Sequence, residues 1–153
     1  MGMHYLFDAH NSRVEEYANH RKAYQFMGVK MSLDIIKKKV KAHPDYPKVG
    51  MVLYHNGVVR QTTRDGQEVT GLSITVDHEK LKAIIVEQKA KPGIVEVIVE
   101  IEENRVLNVG DDVMYIAVAG DIRENVIATL TETLNRVKAE VTSKKQFIKY
   151  NSP

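Results

Sequence analysis

The chain has 153 residues, of which 43% are apolar and 27% charged, and its net charge is +2. These values are typical of one globular domain with a sizeable core, and the small net charge argues against a nucleic-acid or membrane-surface protein. The absence of cysteine excludes disulfides, thiolate catalysis and cysteine-ligated metals, and the lack of any long apolar run favours a cytoplasmic protein.

The N-terminal third is predicted to differ from the rest of the chain. We expect a helical extension over residues 1–47, whose role the sequence does not indicate, and a main domain over residues 48–153. Within the extension, residues 32–42 carry apolar side chains at helical spacing. Ser32 is suited to cap this helix, and Pro44 ends it.

Strand patterns begin the main domain. An apolar run at 51–54 predicts a short strand that the pair Asn56-Gly57 should stop. Residues 69–76 alternate between apolar and polar side chains, as a half-buried strand does. Asp77 then caps a predicted helix that runs to about Ala90.

The second half predicts two strands and a long helix. Residues 94–101 alternate, and residues 113–119 are nearly all apolar, which predicts a central strand buried on both faces. Asp121 and Glu124 form a variant of the capping box at the start of the last helix. Its expected apolar stripe consists of Val126, Ile127, Leu130, Leu134, Val137 and Val141. We therefore predict an α/β or α+β sandwich, a mixed sheet packed by two or three helices.

Two arginines are candidate anion ligands. Arg123 lies about two residues into the last helix, where free N–H groups and the helix dipole favour anions and disfavour a cation. Arg60 follows an apolar strand and precedes a polar loop, a position that commonly carries ligand contacts. For both residues the alternative is an ordinary solvated arginine.

Two lysines lie near the end of the same helix. Lys138 borders the apolar stripe, where a lysine either extends its ammonium to solvent or, if partly buried, acts as a base or nucleophile. Lys145 lies beyond the helix. Arg123 and Lys138 are fifteen residues apart, roughly 22 Å along a helix, so one small ligand cannot contact both. A shared site would require a second subunit.

No other motif for catalysis or binding is present. The histidines lack the short spacings of zinc ligands, and the chain has neither a phosphate-binding loop nor a nucleophile elbow. We therefore expect no metal and no bound cofactor.

Several segments carry a family resemblance. They are Gly57-Val58-Val59-Arg60, the turn at 109–113, the strand-to-helix segment 116–123, the pair Val137-Lys138, and Lys145. Their order and spacing resemble the large, catalytic subunit of molybdopterin synthase, over about residues 48–147.

The resemblance implies a fold, an activity and partners. Members of this family have an α/β-hammerhead fold and form homodimers, and each large subunit binds a small ubiquitin-like subunit, giving a heterotetramer. The C-terminal Gly-Gly of that partner carries a thiocarboxylate, whose sulfur is transferred to cyclic pyranopterin monophosphate to form molybdopterin. The absence of cysteine fits this chemistry, because the sulfur arrives on the partner.

The resemblance also implies roles for the four cations. Arg60 and Arg123 would hold the substrate's phosphate or the partner's terminal carboxylate, and Arg123 would come from the neighbouring subunit. Lys138 would be the main catalytic amine, as proton donor or transient covalent partner. Lys145 would support charge in the same pocket.

Two further hypotheses stay open, because the chain departs from the family pattern. Ile122 replaces a histidine, His55 replaces an aromatic residue, and Val76-Asp77 replaces a His-Tyr pair. One hypothesis is a catalytically impaired homologue that binds or regulates the ubiquitin-like subunit. The other is a generic anion- or nucleotide-binding α/β domain.

Overall fold

The computed structural model of the chain describes residues 27, 28, 30 and 32–150. In chain order, the elements are α1 (Leu33–Lys41), β1 (Met51–Val58), β2 (Val69–Val76), α2 (His78–Lys89), β3 (Ile94–Ile101), β4 (Asp112–Gly120), α3 (Arg123–Arg136) and β5 (Thr142–Ile148). A 3-10 turn (Tyr46–Lys48) precedes β1, and a π-helical turn (Val137–Val141) joins α3 to β5. The predicted α+β class is confirmed. Most of the predicted extension lies outside the described residues, and the boundary after residue 47 stays a prediction.

The strands form two antiparallel sheets. One has the order β1-β4-β3 and the other pairs β2 with β5. The expected mixed sheet is therefore replaced by antiparallel pairing in the described part of the chain. The reason is that β2 and β3, which α2 connects, belong to different sheets, so this crossover creates no parallel pair.

Strand β4 is central, as predicted, and separates two apolar clusters. The main core lies on the face covered by α2 and α3, and the second cluster lies on the face covered by α1. Ile36 and Val40 of α1 are fully buried against Tyr115 and Ala117 of β4. Burial of one such side chain stabilises the fold by about 2 kcal/mol, so α1 is an integral layer of the structure.

Local capping is confirmed for two helices. The Ser32 side chain accepts a hydrogen bond from the Ile35 N–H at the start of α1. The Asp77 carboxylate accepts one from the Lys80 N–H, 3.1 Å away, at the start of α2. No helix in the described part of the chain is long and apolar enough to cross a membrane.

Strand β1 is longer than predicted, and the expectation that Asn56-Gly57 would stop it is wrong. Asn56 lies opposite Tyr115 and Gly57 opposite Met114, and the register shifts only between Gly57 and Val58. Pairing with the central strand β4 outweighs the local turn preference of the Asn-Gly pair. Arg60 therefore follows the end of an extended strand.

The predicted capping box at α3 is also wrong. Ile122 is the N-cap residue, and its side chain makes no capping bond. The Asp121 carboxylate instead accepts hydrogen bonds from the Ile122 N–H at 2.7 Å and the Asn125 side chain at 2.9 Å. Because the helix starts one residue later than the box requires, Arg123 is its first residue.

The buried face of α3 is rotated from the predicted stripe. Ile127 is 48% exposed, whereas Thr129 and Thr133 are buried with Val126. The Thr133 hydroxyl donates to the Thr129 carbonyl at 2.7 Å, so its polar atom is satisfied inside the helix. A threonine whose hydroxyl bonds its own helix can thus replace an apolar residue in the core.

Candidate functional site

The C-terminal end of α3 presents Lys138 on a firmly anchored turn. Val137 and Val141, the first and last residues of the π-helical turn, are buried in the main core. The Asp77 N–H donates to the Val141 carbonyl at 2.9 Å, which ties the turn to the β2–α2 junction. Lys138 lies between these anchors and is exposed. π-helical turns occur frequently at functional sites.

His55 lies close to Lys138, which the sequence alone did not indicate. Leu53, two residues before His55, packs against the main core. Because side chains alternate along a strand, His55 lies on the same face of the sheet, opposite the buried Ile116 of β4. Burial lowers the pKa of His55, and the positive charge of Lys138 lowers it further. The imidazole therefore lies within electrostatic range of the Lys138 ammonium.

The His55 ring leans along β1 toward the end of the strand. Its Nε2 atom is 3.4 Å from the position that a Cβ atom would take at Gly57. A larger residue at position 57 would touch the ring. Glycine at this position therefore keeps the space next to Nε2 free of side-chain atoms. Strand alternation is the signal that could have identified His55, since it predicts a polar ring on the helix-covered face.

Arg60 follows β1 and is held by its neighbour. Val59 is buried, its N–H donates to the Asp111 carbonyl at 2.9 Å, and its carbonyl accepts from the Gly110 N–H at 2.9 Å. The Arg60 Nε donates to the Thr62 carbonyl at 2.8 Å. The terminal guanidinium nitrogens make no ion pair with any described residue, so they are available to an anion.

Arg123 lies at the other end of α3. Its side chain is 79% exposed and its Nε pairs with the Glu124 carboxylate at 3.0 Å. The helical segment from Arg123 to Val141 is continuous, so Arg123 and Lys138 are separated by roughly 22 Å at the usual helical rise. The structure therefore does not bring these two cations together within one chain.

Lys145 lies on a strand, β5, that the sequence did not predict. It is exposed, lies opposite Ser73 of β2, and its ammonium is 5.3 Å from the centroid of the Phe147 ring. The charged residues of β5 hide the alternation that would predict a strand. The strand forms because its backbone hydrogen bonds with β2 stabilise an extended conformation that the local sequence does not favour.

A shallow cleft of about 370 Å³ lies beside the π-helical turn. Its lining residues are Thr75, Val76, Asp77, Lys80, Ala139, Glu140, Val141, Thr142 and Ser143. The cleft excludes Lys138 and combines two carboxylates with one lysine, which gives it no preference for anions. Within the described residues, no three histidine, aspartate or glutamate side chains are grouped to hold a metal ion. The candidate site is therefore the side of the turn that carries Lys138 and His55.

Comparison with protein families identifies the chain. A sequence model of the family described as MoaE protein matches residues 29–140, more than two thirds of the 153 residues. The chain belongs to the MoaE protein family. The resemblance to the molybdopterin synthase large subunit is thereby confirmed, and membership gives the chain a role in molybdenum cofactor biosynthesis. The matched range contains Arg60, Arg123 and Lys138, whereas Lys145 lies beyond it.

Solved structures of MoaE proteins share the fold. Molybdopterin synthase from Staphylococcus aureus is 24% identical, with 68% of this chain and 78% of that chain covered and a TM-score of 0.59. Molybdopterin cofactor biosynthesis protein E from Burkholderia multivorans is 21% identical, with 78% and 83% covered and a TM-score of 0.63.

A third MoaE neighbour is a complex. It contains subunits 1 and 2 of the molybdopterin-converting factor from Helicobacter pylori and is 16% identical, with 77% and 80% covered and a TM-score of 0.61. At these identities the similarity shows the MoaE fold alone. A comparison of the sequence with curated proteins finds no match.

Proposed function

We propose that this MoaE protein is an active sulfurtransferase, which moves sulfur from the C-terminal thiocarboxylate of a small subunit to cyclic pyranopterin monophosphate and so forms molybdopterin. The observation that carries the proposal is the environment of Lys138. Its side chain is exposed on an anchored turn, lies within electrostatic range of His55, and has no carboxylate partner among the described residues. A lysine without an acidic partner is free to bind an anionic substrate.

Each cation then has a chemical role. Lys138 stabilises the negative charge that develops on the acyl oxygen or sulfur as the thiocarboxylate reacts. Arg60 binds the phosphate of the pterin or the terminal carboxylate through its two free guanidinium nitrogens, a geometry that suits paired oxygens. Lys145 raises the positive potential around the same anions.

The partner of this chain, on this proposal, is a ubiquitin-like small subunit that ends in Gly-Gly. Support comes from the family and from the Helicobacter pylori structure, which contains subunits 1 and 2 of a molybdopterin-converting factor together. The extended tail of such a partner carries the sulfur into the site. The cytoplasmic location expected from the sequence stays a prediction.

We further propose that two copies of the chain form a homodimer in which Arg123 completes the partner copy's site. The separation of Arg123 and Lys138 along one helix supports this arrangement. So do two apolar residues beside Arg123, because Ile122 is 53% exposed and Ile127 is 48% exposed. Such exposed apolar side chains are typical of a surface that another chain covers. With two small subunits, the dimer becomes a heterotetramer.

Reconstitution tests the proposed activity. Purified chain is mixed with a thiocarboxylated small subunit and cyclic pyranopterin monophosphate, and dithiolene formation is measured. We expect product from the parent chain and a loss of about 10²–10⁴-fold in rate for Lys138→Ala, since removal of a group that stabilises or transfers charge has effects of this size.

Lys41→Ala is the matched control, since Lys41 is an exposed lysine on α1, the helix that covers the other face of the sheet. It should retain the parent rate. The proposal is wrong if the parent forms no dithiolene with partners that a known synthase accepts, or if Lys138→Ala keeps the parent rate.

A second candidate function is binding without turnover. It is favoured by Ile122, an apolar residue at the start of α3 where the family has a histidine that could transfer a proton. On this alternative, calorimetry would measure tight binding of the small subunit's Gly-Gly tail, and the parent chain would release no product. Product formation by the parent chain would exclude it.

A further inference from the structure

His55 occupies a position suited to proton transfer. Strand β4 presents two apolar residues to this part of β1, namely Ile116 opposite His55 and Met114 opposite Gly57. The His55 ring is half-buried against these apolar residues. Its Nε2 atom lies next to the space that a side chain at Gly57 would occupy. No described residue forms a hydrogen bond with either ring nitrogen. A half-buried imidazole with unoccupied nitrogens is available to a substrate or a water molecule.

The charges around His55 favour its neutral form. The π-helical turn places the charged Lys138 near the ring, whereas β4 presents only the apolar Ile116 and Met114 on this face. Along the sequence after His55, the next charged residue is Arg60. Burial and the Lys138 charge both lower the pKa of His55 below 6.5. At pH 7 the ring is therefore unprotonated and can accept a proton.

Sulfur transfer from a thiocarboxylate needs such a proton acceptor. When the thiocarboxylate sulfur has bonded to the pterin, an acyl–sulfur bond still joins the small subunit to the product. Its cleavage requires water: the water oxygen bonds to the acyl carbon, the carbon–sulfur bond breaks, and sulfur leaves as a thiolate on the pterin. The small subunit leaves as a carboxylate, and both protons of the attacking water are released, one to the base as the oxygen–carbon bond forms and the other to solvent when the new carboxyl group ionises.

We propose that His55 is the general base for this water, positioned beside Lys138, which holds the negative charge on the acyl oxygen. The inference rests on the proposed sulfur transfer and adds to it the residue that takes the proton. The imidazole accepts the proton from water as the oxygen–carbon bond forms and then returns it to solvent. The family pattern has an aromatic residue at this position where this chain has His55, so the proposed base is particular to this chain.

Rate measurements across pH test the role. The complex of full chain, thiocarboxylated small subunit and pterin is followed in a single turnover by release of the carboxylate form of the small subunit. We expect the parent rate to fall as pH drops through the lowered pKa of His55, and we expect His55→Gln to lose about 10²-fold or more in rate together with this acid limb. His43→Gln, a histidine at the end of α1, should retain both the rate and the limb.

His55→Phe separates chemistry from packing, since it keeps an aromatic ring on the core face. A general base predicts that His55→Phe is as slow as His55→Gln, whereas a packing role predicts that it recovers the parent rate. Recovery, or an unchanged rate in His55→Gln, overturns the inference and leaves the proposed sulfur transfer intact. A parent chain without turnover at any pH overturns both.

A readout without turnover tests the pairing. The His55 ring is titrated by NMR in the free chain, and we expect its pKa to rise in Lys138→Gln, because the neighbouring positive charge is removed. An unchanged pKa in that variant would show that the two side chains do not share a site, and the inference would fall.

Discussion

Charged side chains in this protein differ in whether a carboxylate neutralises them. Arg136 pairs with Glu140 at 2.8 Å and also with Glu87, and these bonds raise its pKa. Lys89 pairs with Glu96 at 2.7 Å. Lys138, two residues after Arg136, has no such partner in the described part of the chain. This contrast at neighbouring positions separates a cation used for structure from one available to a ligand.

A polar pair on the other face of the sheet makes the stability depend on pH. The Tyr115 hydroxyl donates to the Asp112 carboxylate at 2.7 Å, and Asn56 also bonds that carboxylate, which lowers the pKa of Asp112. Burial, the bond to Asp112 and nearby negative charge raise the pKa of Tyr115 to about 12. The folded chain therefore holds this proton more tightly than the unfolded chain, whose tyrosines titrate near pH 10.

We predict that Tyr115→Phe flattens the alkaline loss of stability. The contribution of Tyr115 is complete below about pH 10 and is lost as pH rises through about 12. Urea unfolding at pH 8 and pH 11 should show a smaller drop in the free energy of unfolding for Tyr115→Phe than for the parent. At pH 8 the variant should be about 1 kcal/mol less stable, because the hydrogen bond to Asp112 is lost. Tyr150→Phe is the control, since Tyr150 is 92% exposed; an equal drop in all three proteins would contradict the prediction.

The elements around α3 are joined by close backbone approaches. Gly93, in the turn between α2 and β3, has φ +77° and accepts a hydrogen bond from the Asp121 N–H at 2.9 Å. A Cβ atom there would overlap the Asp121 carboxylate. That carboxylate in turn bonds the Ile122 N–H at the start of α3. The turn thus fixes where the helix begins and where Arg123 projects.

We predict that Gly93→Ala destabilises the fold more than Gly66→Ala. Both glycines have positive φ, which costs a residue with a side chain about 1–2 kcal/mol. Gly66 has open space around it, so strain is its whole cost, whereas Gly93→Ala must also displace Asp121. Free energies of unfolding from urea titrations should differ by about 1–3 kcal/mol, the usual range for overpacking. Equal losses in the two variants would show that Asp121 moves without cost.

The proposed homodimer would place each site between two chains. The helical segment that carries both Arg123 and Lys138 is too long for one chain to place them around a single ligand. A two-fold symmetric dimer can bring Arg123 of one copy to Lys138 of the other, and it does so twice. Activity and assembly are then linked.

We predict that inactive variants complement each other. Arg123→Ala and Lys138→Ala should each be inactive alone, but mixed dimers contain one site with both residues intact. After co-refolding in equal amounts, about a quarter of the parent activity should return, because half of the dimers are mixed and each restores one of two sites. Mixing Lys138→Ala with His55→Gln is the control: both residues belong to the same chain's half of the site, so every site in a mixed dimer lacks one of them and no activity should return. Absence of recovery in the first mixture, with dimers confirmed by sedimentation, would refute a shared site.

Most elements could be predicted from the sequence because their determinants are local. The bounds of β2 and β3, the cap of α2 by Asp77 and the double burial of β4 all follow from side chains a few residues apart. The family could be recognised for a similar reason, since Arg60, Arg123 and Lys138 lie at characteristic distances from strand and helix ends. These features depend on spacing along the chain.

Other features were decided only by the tertiary structure. β1 continues through Asn56-Gly57 because it pairs with β4 there. β5 forms because its residues pair with β2. His55 and Lys138 are far apart in the sequence but within electrostatic range in the fold. No local sequence pattern encodes this proximity. Local sequence was enough to predict the fold class and the family, and to nominate the residues of the candidate site. Contacts between distant segments decided which of those residues meet, because pairing and packing energies depend on the partner surface as well as on the local chain.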